Sequence, residues 1–464
     1  MRLHLFDDLQ PTLTRTKVQR PSAGKLVWQG EDEFGAQAVF TVARGVLTGT
    51  VFADHRTFEI TLEPDGQYAV AELEPGAFPT DDPPFEDMSF DVLDAPDGPL
   101  AADEVSATPS QEAATADGAP VQIDVMIVWT PRAENAAGGA AAMESLAMNA
   151  VANANLAYVN SQVNAELRLV HAVRVDFVET PSNISGDLGA LRGTTDGRLD
   201  HVHSLRTQYG ADVVSLIGDG YVSGGACGIG SLMSTVSTSF AGYAFNVVDR
   251  TCAVGNLSYA HEVGHNQGLH HDPANAGSTP SSPYAYGYQD PSGYFRTVLS
   301  YGSAKRIPYL SNPDVLYNLR PTGTDGQDNA RTLNANAGTI AAFRSASGGT
   351  TEPPPPTTPT CTYSVSTTSL SFAASGGSKT VSVTAPAGCS WSATNDTGSS
   401  WVSLGTATGT GSGAVTVTAV ANTTAARSTS ITVAGKTVAV SQGGVKVKGG
   451  GKGSGDTGGG KGKK

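Results

Sequence analysis

One twelve-residue segment constrains this chain more than any other: His261-Glu262-Val263-Gly264-His265-Asn266-Gln267-Gly268-Leu269-His270-His271-Asp272. His261 and His265 are four residues apart, so on a helix both imidazoles project from one face. Two imidazoles at that spacing can bind one Zn²⁺. Glu262 beside them stands where a general base can hold an attacking water. Gly268 lets the chain leave the helix sharply, because glycine takes φ > 0 at little cost, and the turn can bring His271 back as a third nitrogen ligand. Three protein ligands leave a fourth position for water, the arrangement of a catalytic zinc rather than a closed structural one. A chance match to all these residues at these offsets is roughly one in 10⁵ for this composition, so surface histidines on an ordinary helix explain the segment poorly. His270 faces elsewhere than the ligands. His171, His201 and His203 are lone or helical and read as structural.

The rest of the chain reads as several modules. A length of 464 residues suggests two to four domains. Residues 1–120 carry 22 acidic against 7 basic side chains, whereas the remainder is nearly balanced, so one segment holds the whole imbalance behind the net charge of −14. That balance argues against a nucleic-acid binder, and no apolar run is long enough to span a membrane.

Residues 1–105 form a β-rich module, with short runs at Ala36–Ala43, Gly45–Phe52, Phe58–Leu62 and Gln67–Leu73, followed by a small-residue linker at 106–121. Residues 122–347 read as mixed α/β. Ile123–Trp129 is a buried strand, Gly139–Val163 a long Ala-rich helix and Glu166–Val178 a second strand. Leu199–Tyr209 is a helix ended by Gly210, and Ala211–Ile217 is a third strand. Residues 348–360 are a Pro/Thr linker. Residues 361–444 alternate in short Ser/Thr/Val strands from Tyr363–Phe372 to Thr437–Ser441, as in an all-β sandwich. Residues 445–464 are a Gly/Lys tail.

The four cysteines fall as two close pairs without CxxC spacing. Two local disulfides, Cys227–Cys252 and Cys361–Cys389, are expected in an oxidising compartment. The N-terminus MRLHLFDDLQ has no apolar stretch of a signal peptide; a secreted protein whose signal has already been removed is expected.

HExxHxxGxxH followed by Asp272 resembles the metzincin zinc endopeptidases, and Asp272 points to their reprolysin-like branch. The stretches IDVMIVWTPRA, RLVHAVRVDF, YGADVVSLIGDG and IPYLSNPDV extend the likeness, including to the bacterial peptidyl-Asp metallopeptidase group. The resemblance implies a twisted mixed sheet above the cleft, the zinc helix, and an antiparallel edge strand at Gly225–Met233 that pairs with extended substrate. It implies protein or peptide substrates and cleavage beside acidic residues, with Arg296 or Arg306 supplying the charge. One departure stands out: Leu299 occupies the position of the methionine turn beneath the zinc. Leucine and methionine are close in volume, so the floor can survive the exchange. Tyr301 is either a further zinc ligand that stabilises the oxyanion or a packed tyrosine on the cleft wall.

The acidic N-terminal module looks like a metzincin propeptide. It lacks cysteine, so a cysteine switch onto zinc is excluded: the module either inhibits sterically or through another ligand such as an aspartate, or is a folding aid or stable accessory domain with no inhibitory role. Residues 361–444 resemble BACON-type Ig-like modules, which implies contact with glycans. Trp391 and Trp401 are either a sugar platform or part of the sandwich core. A calcium ion suits the class, but no DxDxDG loop supports one. The leading expectation is a secreted zinc endopeptidase made as a proenzyme, with Glu262 as general base. The alternative is a non-catalytic extracellular carbohydrate- or mucin-binding protein with a relic metzincin domain. The intact Glu262 favours the first.

Overall fold

Short Val-, Phe- and Thr-bearing runs between tight turns build a six-stranded antiparallel meander from the first 72 residues. Its strands are β1 (Thr14–Gln19), β2 (Lys25–Glu31), β3 (Gln37–Ala43), β4 (Val46–Ala53), β5 (Arg56–Leu62) and β6 (Tyr68–Glu72), each paired with the next. Two of its turns, Arg44-Gly45 and Asp54-His55, have positive φ at both central residues, the geometry that matches the twist of a two-residue hairpin. β1 and β2 were not anticipated. β1 (TRTKVQ) has no buried residue, so no apolar alternation marks it.

The computed structural model describes residues 1–63, 66–74, 76–81, 118–344, 362–385, 390–395, 398–405 and 407–445. The chain divides into two compact units, Met1–Thr350 and Thr351–Lys464. The linker at 348–360, most of the 106–121 linker, the tail from 446 and both Cys361 and Cys389 lie outside the described residues.

In the first unit the chain continues through β7 (Val121–Trp129), α1 (Pro131–Ala136), α2 (Ala140–Asn160), β8 (Ala165–Arg174), α3 (Ile184–Arg192), α4 (Asp200–Tyr209) and β9 (Val213–Gly218). It goes on through β10 (Gly228–Gly230), β11 (Phe245–Asp249), α5 (Ser258–Asn266), the small β12 (Leu316–Tyr317) and β13 (Arg320–Pro321) ladder, and α6 (Asn329–Ile340). Five strands form one sheet in the order β10-β11-β9-β7-β8. All its pairings are parallel except β10 with β11, which is antiparallel at the edge. β9 and β11 are buried throughout, as continuous apolar runs in a sheet covered on both faces should be. α4 ends at Gly210 in the left-handed region, φ 65°. α6 was not anticipated, because its Asn-rich sequence is a poor helix former; the Asp328 side chain caps it by accepting from the Arg331 amide at 2.9 Å.

α2 joins the two sheets. It is buried continuously from Ala142 to Tyr158. Val27, Val39, Ala43 and Phe52 from the meander enter the same apolar core as Met143, Leu146, Ala150 and Val151. Ser145, Asn149 and Asn153, spaced four apart, form a polar stripe facing the meander. The Thr41 hydroxyl donates to the Ser145 carbonyl at 2.7 Å, and the Ser145 hydroxyl to the Thr41 carbonyl at 3.0 Å. Asn149 Oδ1 accepts from Thr50 at 2.7 Å and from Asn153 at 2.8 Å, while its Nδ2 donates to the carbonyls of Val39 and Thr48.

In the second unit, β14 (Ser364–Val365), β15 (Ser369–Phe372), β16 (Gly377–Thr384), β17 (Ser390–Thr394), β18 (Val402–Leu404), β19 (Thr408–Thr410), β20 (Gly413–Ala419), β21 (Arg427–Val433) and β22 (Lys436–Gln442) form two sheets, β14-β16-β20-β18 and β15-β22-β21-β17-β19. Both contribute to one core, with Val381, Val415, Ile431 and Val438 fully buried. The single strand expected at Tyr363–Phe372 is split between the sheets. Trp391 lies in this core, its indole N–H donating to the Gly411 carbonyl at 2.8 Å. Trp401 is half-buried under the Arg427 guanidinium, 4.6 Å from the ring centroid.

Removing Asn149 would take away the acceptor of the buried Thr50 hydroxyl and a donor to the carbonyls of Val39 and Thr48 between α2 and the meander. Asn149→Ala should therefore destabilise the full chain by about 2–4 kcal/mol, read as a lower urea midpoint. A midpoint matching the parent would show that this polar stripe does not hold the two sheets together.

Candidate metal centre

α5 is nine residues long and every one of them is buried. Leu257 enters it at φ 60° and Gly268 leaves it at φ 86°. Gly264, an unfavourable residue inside a helix, has a packing reason: a Cβ there would meet Leu299 Cδ2 at 3.1 Å. Leu299 is fully buried beneath the helix and forms its apolar floor.

The turn at Gly268 brings His271 back to His261 and His265. Their Nε2 atoms form a triangle with sides of 3.0, 3.0 and 3.1 Å. The other ring nitrogens define the tautomers. Nδ1 of His261 lies 2.9 Å from the Val298 carbonyl, that of His265 2.9 Å from the Leu269 carbonyl, and that of His271 3.3 Å from the Asn275 carbonyl. A carbonyl only accepts, so each Nδ1 carries the proton and each Nε2 presents a lone pair. Three lone pairs aimed at one point repel one another, and a cation relieves that repulsion. Neutral imidazoles whose far N–H is fixed on a carbonyl suit a bound metal, and the donor set fits zinc.

Glu262 is fully buried. It packs against the two glycines of the edge strand β10: a Cβ on Gly228 would lie 2.7 Å from Glu262 Oε1, and one on Gly230 would lie 3.0 Å from Oε2. The carboxylate groups with His261 and Asp81, their ligand atoms all within 4.8 Å of one another. The Cys227–Cys252 disulfide, with Cα atoms 5.6 Å apart, links the start of β10 to the loop entering α5.

Asp272 reaches away from the imidazoles. Its Oδ2 accepts from the Tyr301 amide at 3.0 Å and both its oxygens from Asn275. The Tyr301 ring packs on His271 at a centroid distance of 4.2 Å and lies parallel to His261 at 5.7 Å. His270 turns elsewhere, its Nε2 3.0 Å from the Ser278 hydroxyl.

The loop from Arg296 to Arg306 supplies much of this environment: the Val298 carbonyl, the Leu299 floor, the Tyr301 ring and a cluster of cations. Arg296, Lys305 and Arg306 are all buried. Burial pushes Lys305 down to about 7; burial, aided by the Arg306 charge, pushes Arg296 down to about 9. Arg296 braces its own loop through the carbonyls of Ala304 and Ser300. Arg306 instead meets Asp81 of the N-terminal segment, through Nη2 and Asp81 Oδ2, and donates through Nη1 to the Asn256 carbonyl at 2.8 Å. Sequence reasoning missed Asp81, Gly228, Gly230 and the Val298 carbonyl. Only the glycine spacing in GACGIG left any trace.

Residues 119–311 match the model of metallo-peptidase family M12, of the reprolysin type, and residues 390–443 match that of the BACON binding domain. The peptidyl-Asp metalloendopeptidase of Stenotrophomonas maltophilia (strain K279a) is 36% identical over 326 residues, 68% of this chain and 72% of that protein. The protein of the same name from Xanthomonas campestris pv. campestris is 33% identical over 358 residues, 72% of this chain and 79% of its own length. That of Pseudomonas fragi is 32% identical over 196 residues, which is 99% of its length and 41% of this chain. With its imidazole triangle and buried glutamate, the chain belongs to the reprolysin-like zinc metalloendopeptidases of family M12, here carrying a C-terminal BACON domain.

Proposed function

We propose that this chain is a secreted endopeptidase made as a proenzyme, in which His261, His265 and His271 hold one Zn²⁺ and Glu262 is the general base. The convergence of three acceptor nitrogens beside a buried carboxylate at a sheet edge carries the reading. Zinc bound there supplies Lewis acidity, bringing a water's pKa to near 7 and polarising a carbonyl. Glu262 takes the proton of the attacking water and passes it to the leaving amine. The outer edge of β10 orients an extended peptide by main-chain hydrogen bonds. Tyr301 we assign to holding the His271 ring by its packing contact. Leu299 preserves the floor, and nothing about its packing favours a relic.

Residues 1–105 act as the propeptide, 122–347 as the catalytic domain and 361–444 as an Ig-like sandwich. The Cys227–Cys252 disulfide supports an extracellular setting, and no helix among the described residues is long and apolar enough to cross a membrane. From the relatives' names we take a preference for bonds beside aspartate.

Glu262→Gln should keep one zinc per chain and lose about 10²–10⁴-fold in turnover, measured by elemental analysis alongside casein hydrolysis after release of residues 1–120. His265→Ala should lose zinc and activity together. Chelation of the parent should abolish hydrolysis and added zinc restore it. A stoichiometric zinc content with no hydrolysis of any protein would sink the catalytic reading and direct suspicion to Leu299.

A further inference from the structure

The segment after β6 leaves the meander and runs to the cleft. The Cys227 amide donates to the Thr80 carbonyl at 2.9 Å and the Gly228 amide to the Asp81 carbonyl at 3.0 Å. These are donors at the start of the edge strand, where an extended substrate would bind. The Asp81 side chain is 1% exposed. Oδ2 pairs with Arg306, Oδ1 accepts from the Ser258 hydroxyl, and Oδ2 lies 3.6 Å from His261 Nδ1. Ser258 is held in turn by Asn256 Nδ2 at 3.0 Å. A cavity of about 60 Å³ continues past Arg306, bounded by Arg296, Lys305, Asn256, Glu72 and Phe78.

We propose that Arg306, with the Ser258 hydroxyl beside it, is the subsite that recognises the acidic side chain of the substrate, and that Asp81 fills this subsite in cis as a tethered substrate mimic. The inference rests on the endopeptidase reading above and adds the residue that sets its specificity. Arg306 takes the role rather than Arg296, because the Arg296 guanidinium is consumed by carbonyls of its own loop. The chemistry is selective because the guanidinium is buried. A carboxylate compensates it, whereas a neutral side chain of the same shape leaves a desolvated charge without a counter-ion. Sites built around a buried polar partner reject analogues that lack it far more strongly than apolar pockets do. The same pair explains latency without a cysteine: while Thr80 and Asp81 hold the edge amides and the guanidinium, a peptide in trans finds both taken.

The test uses the intact full-length chain, its mass checked at the start of each assay, and two fluorogenic peptides differing only in Asp against Asn at one position. Asp81→Asn keeps the shape and main-chain pairing but removes the charge. It should raise the initial rate on the Asp peptide at least tenfold over the parent. In the Asp81→Asn background the Asp peptide should be preferred on the order of 10²-fold in kcat/KM. Adding Arg306→Gln should reduce that preference to within a few-fold of unity, and Arg306→Lys should keep a measurable part of it. A parent chain as active as Asp81→Asn, or an Asp preference that survives Arg306→Gln, overturns the proposal. Zinc-dependent casein hydrolysis by the same preparations after release of residues 1–120 separates the two failures. If it is absent throughout, the endopeptidase reading fails; if it is present without an Arg306-dependent preference, only this inference does. Should Arg306→Gln not fold, the Asp81→Asn comparison and the Arg306→Lys preference still decide.

Discussion

Three imidazole lone pairs pointed at one spot inside the protein are the arrangement around which the first unit is organised. Nothing favours bringing three acceptors to within 3.0–3.1 Å unless a cation shares them. Each ring must therefore be held from behind. The holds come from three different places: the Val298 carbonyl of the floor loop, the Leu269 carbonyl at the helix exit and the Asn275 carbonyl of the following loop. The supporting structure fixes those carbonyls in turn. Asn266 ties the end of α5 to Ser231 and Phe245, Asp272 ties the His271 segment to Tyr301, and the disulfide ties β10 to the approach to α5. Ligand geometry and folding energy are then coupled, as they are wherever metal donors must be assembled from separate segments.

On the proenzyme reading proposed above, the meander poses a different problem, since a segment that leaves a finished enzyme should not be fused into its core. Here it is partly fused. Val27, Val39, Ala43 and Phe52 share apolar contacts with α2. The remaining contact is polar: Ser145, Asn149 and Asn153 meet Thr41 and Thr50, and Glu144 pairs with Lys25 and Arg44. An α2 whose outer face carries serine, asparagine and alanine can be hydrated after separation at less cost than a leucine stripe. Small outward residues account for the burial of α2 from Ala142 to Tyr158 here and would let it tolerate exposure once the meander left.

What the sequence disclosed followed from local rules. The four-residue spacing of His261 and His265, the turn at Gly268, the buried strands at Ile123–Trp129 and Ala211–Ile217 and the stop at Gly210 each state their geometry within a few residues. The missing parts are those where meaning arises only through contact. Gly228 and Gly230 look like loop glycines until the Glu262 side chain occupies the space their Cβ atoms would fill. Val298 acts through a carbonyl, and any residue has one. Asp81 is one of 22 acids among residues 1–120, and its composition-level signal is that of its neighbours. β1 escaped for the opposite reason: both its faces are wet, so it lacks the alternation by which strands are recognised.

One buried ion pair serving both specificity and latency makes a physical demand. The tethered Asp81 must outcompete substrate before processing and lose afterwards, with the same guanidinium as prize in both states. Tethering satisfies the first half, because an intramolecular ligand on a short connection acts at an effective concentration in the millimolar range. Breaking the chain between residues 81 and 118 leaves Asp81 attached only through the docked meander, so its hold becomes that of the meander itself. The hydrogen bonds across Thr41, Thr50 and Asn149 and the ion pairs of Glu144 with Lys25 and Arg44 would then set the rate at which the cleft clears. Arg306, once parted from Asp81, is a desolvated cation seeking a carboxylate. On the reading proposed above, the interface far from Glu262 governs when the enzyme becomes active, and the charge of Arg306 governs what it accepts.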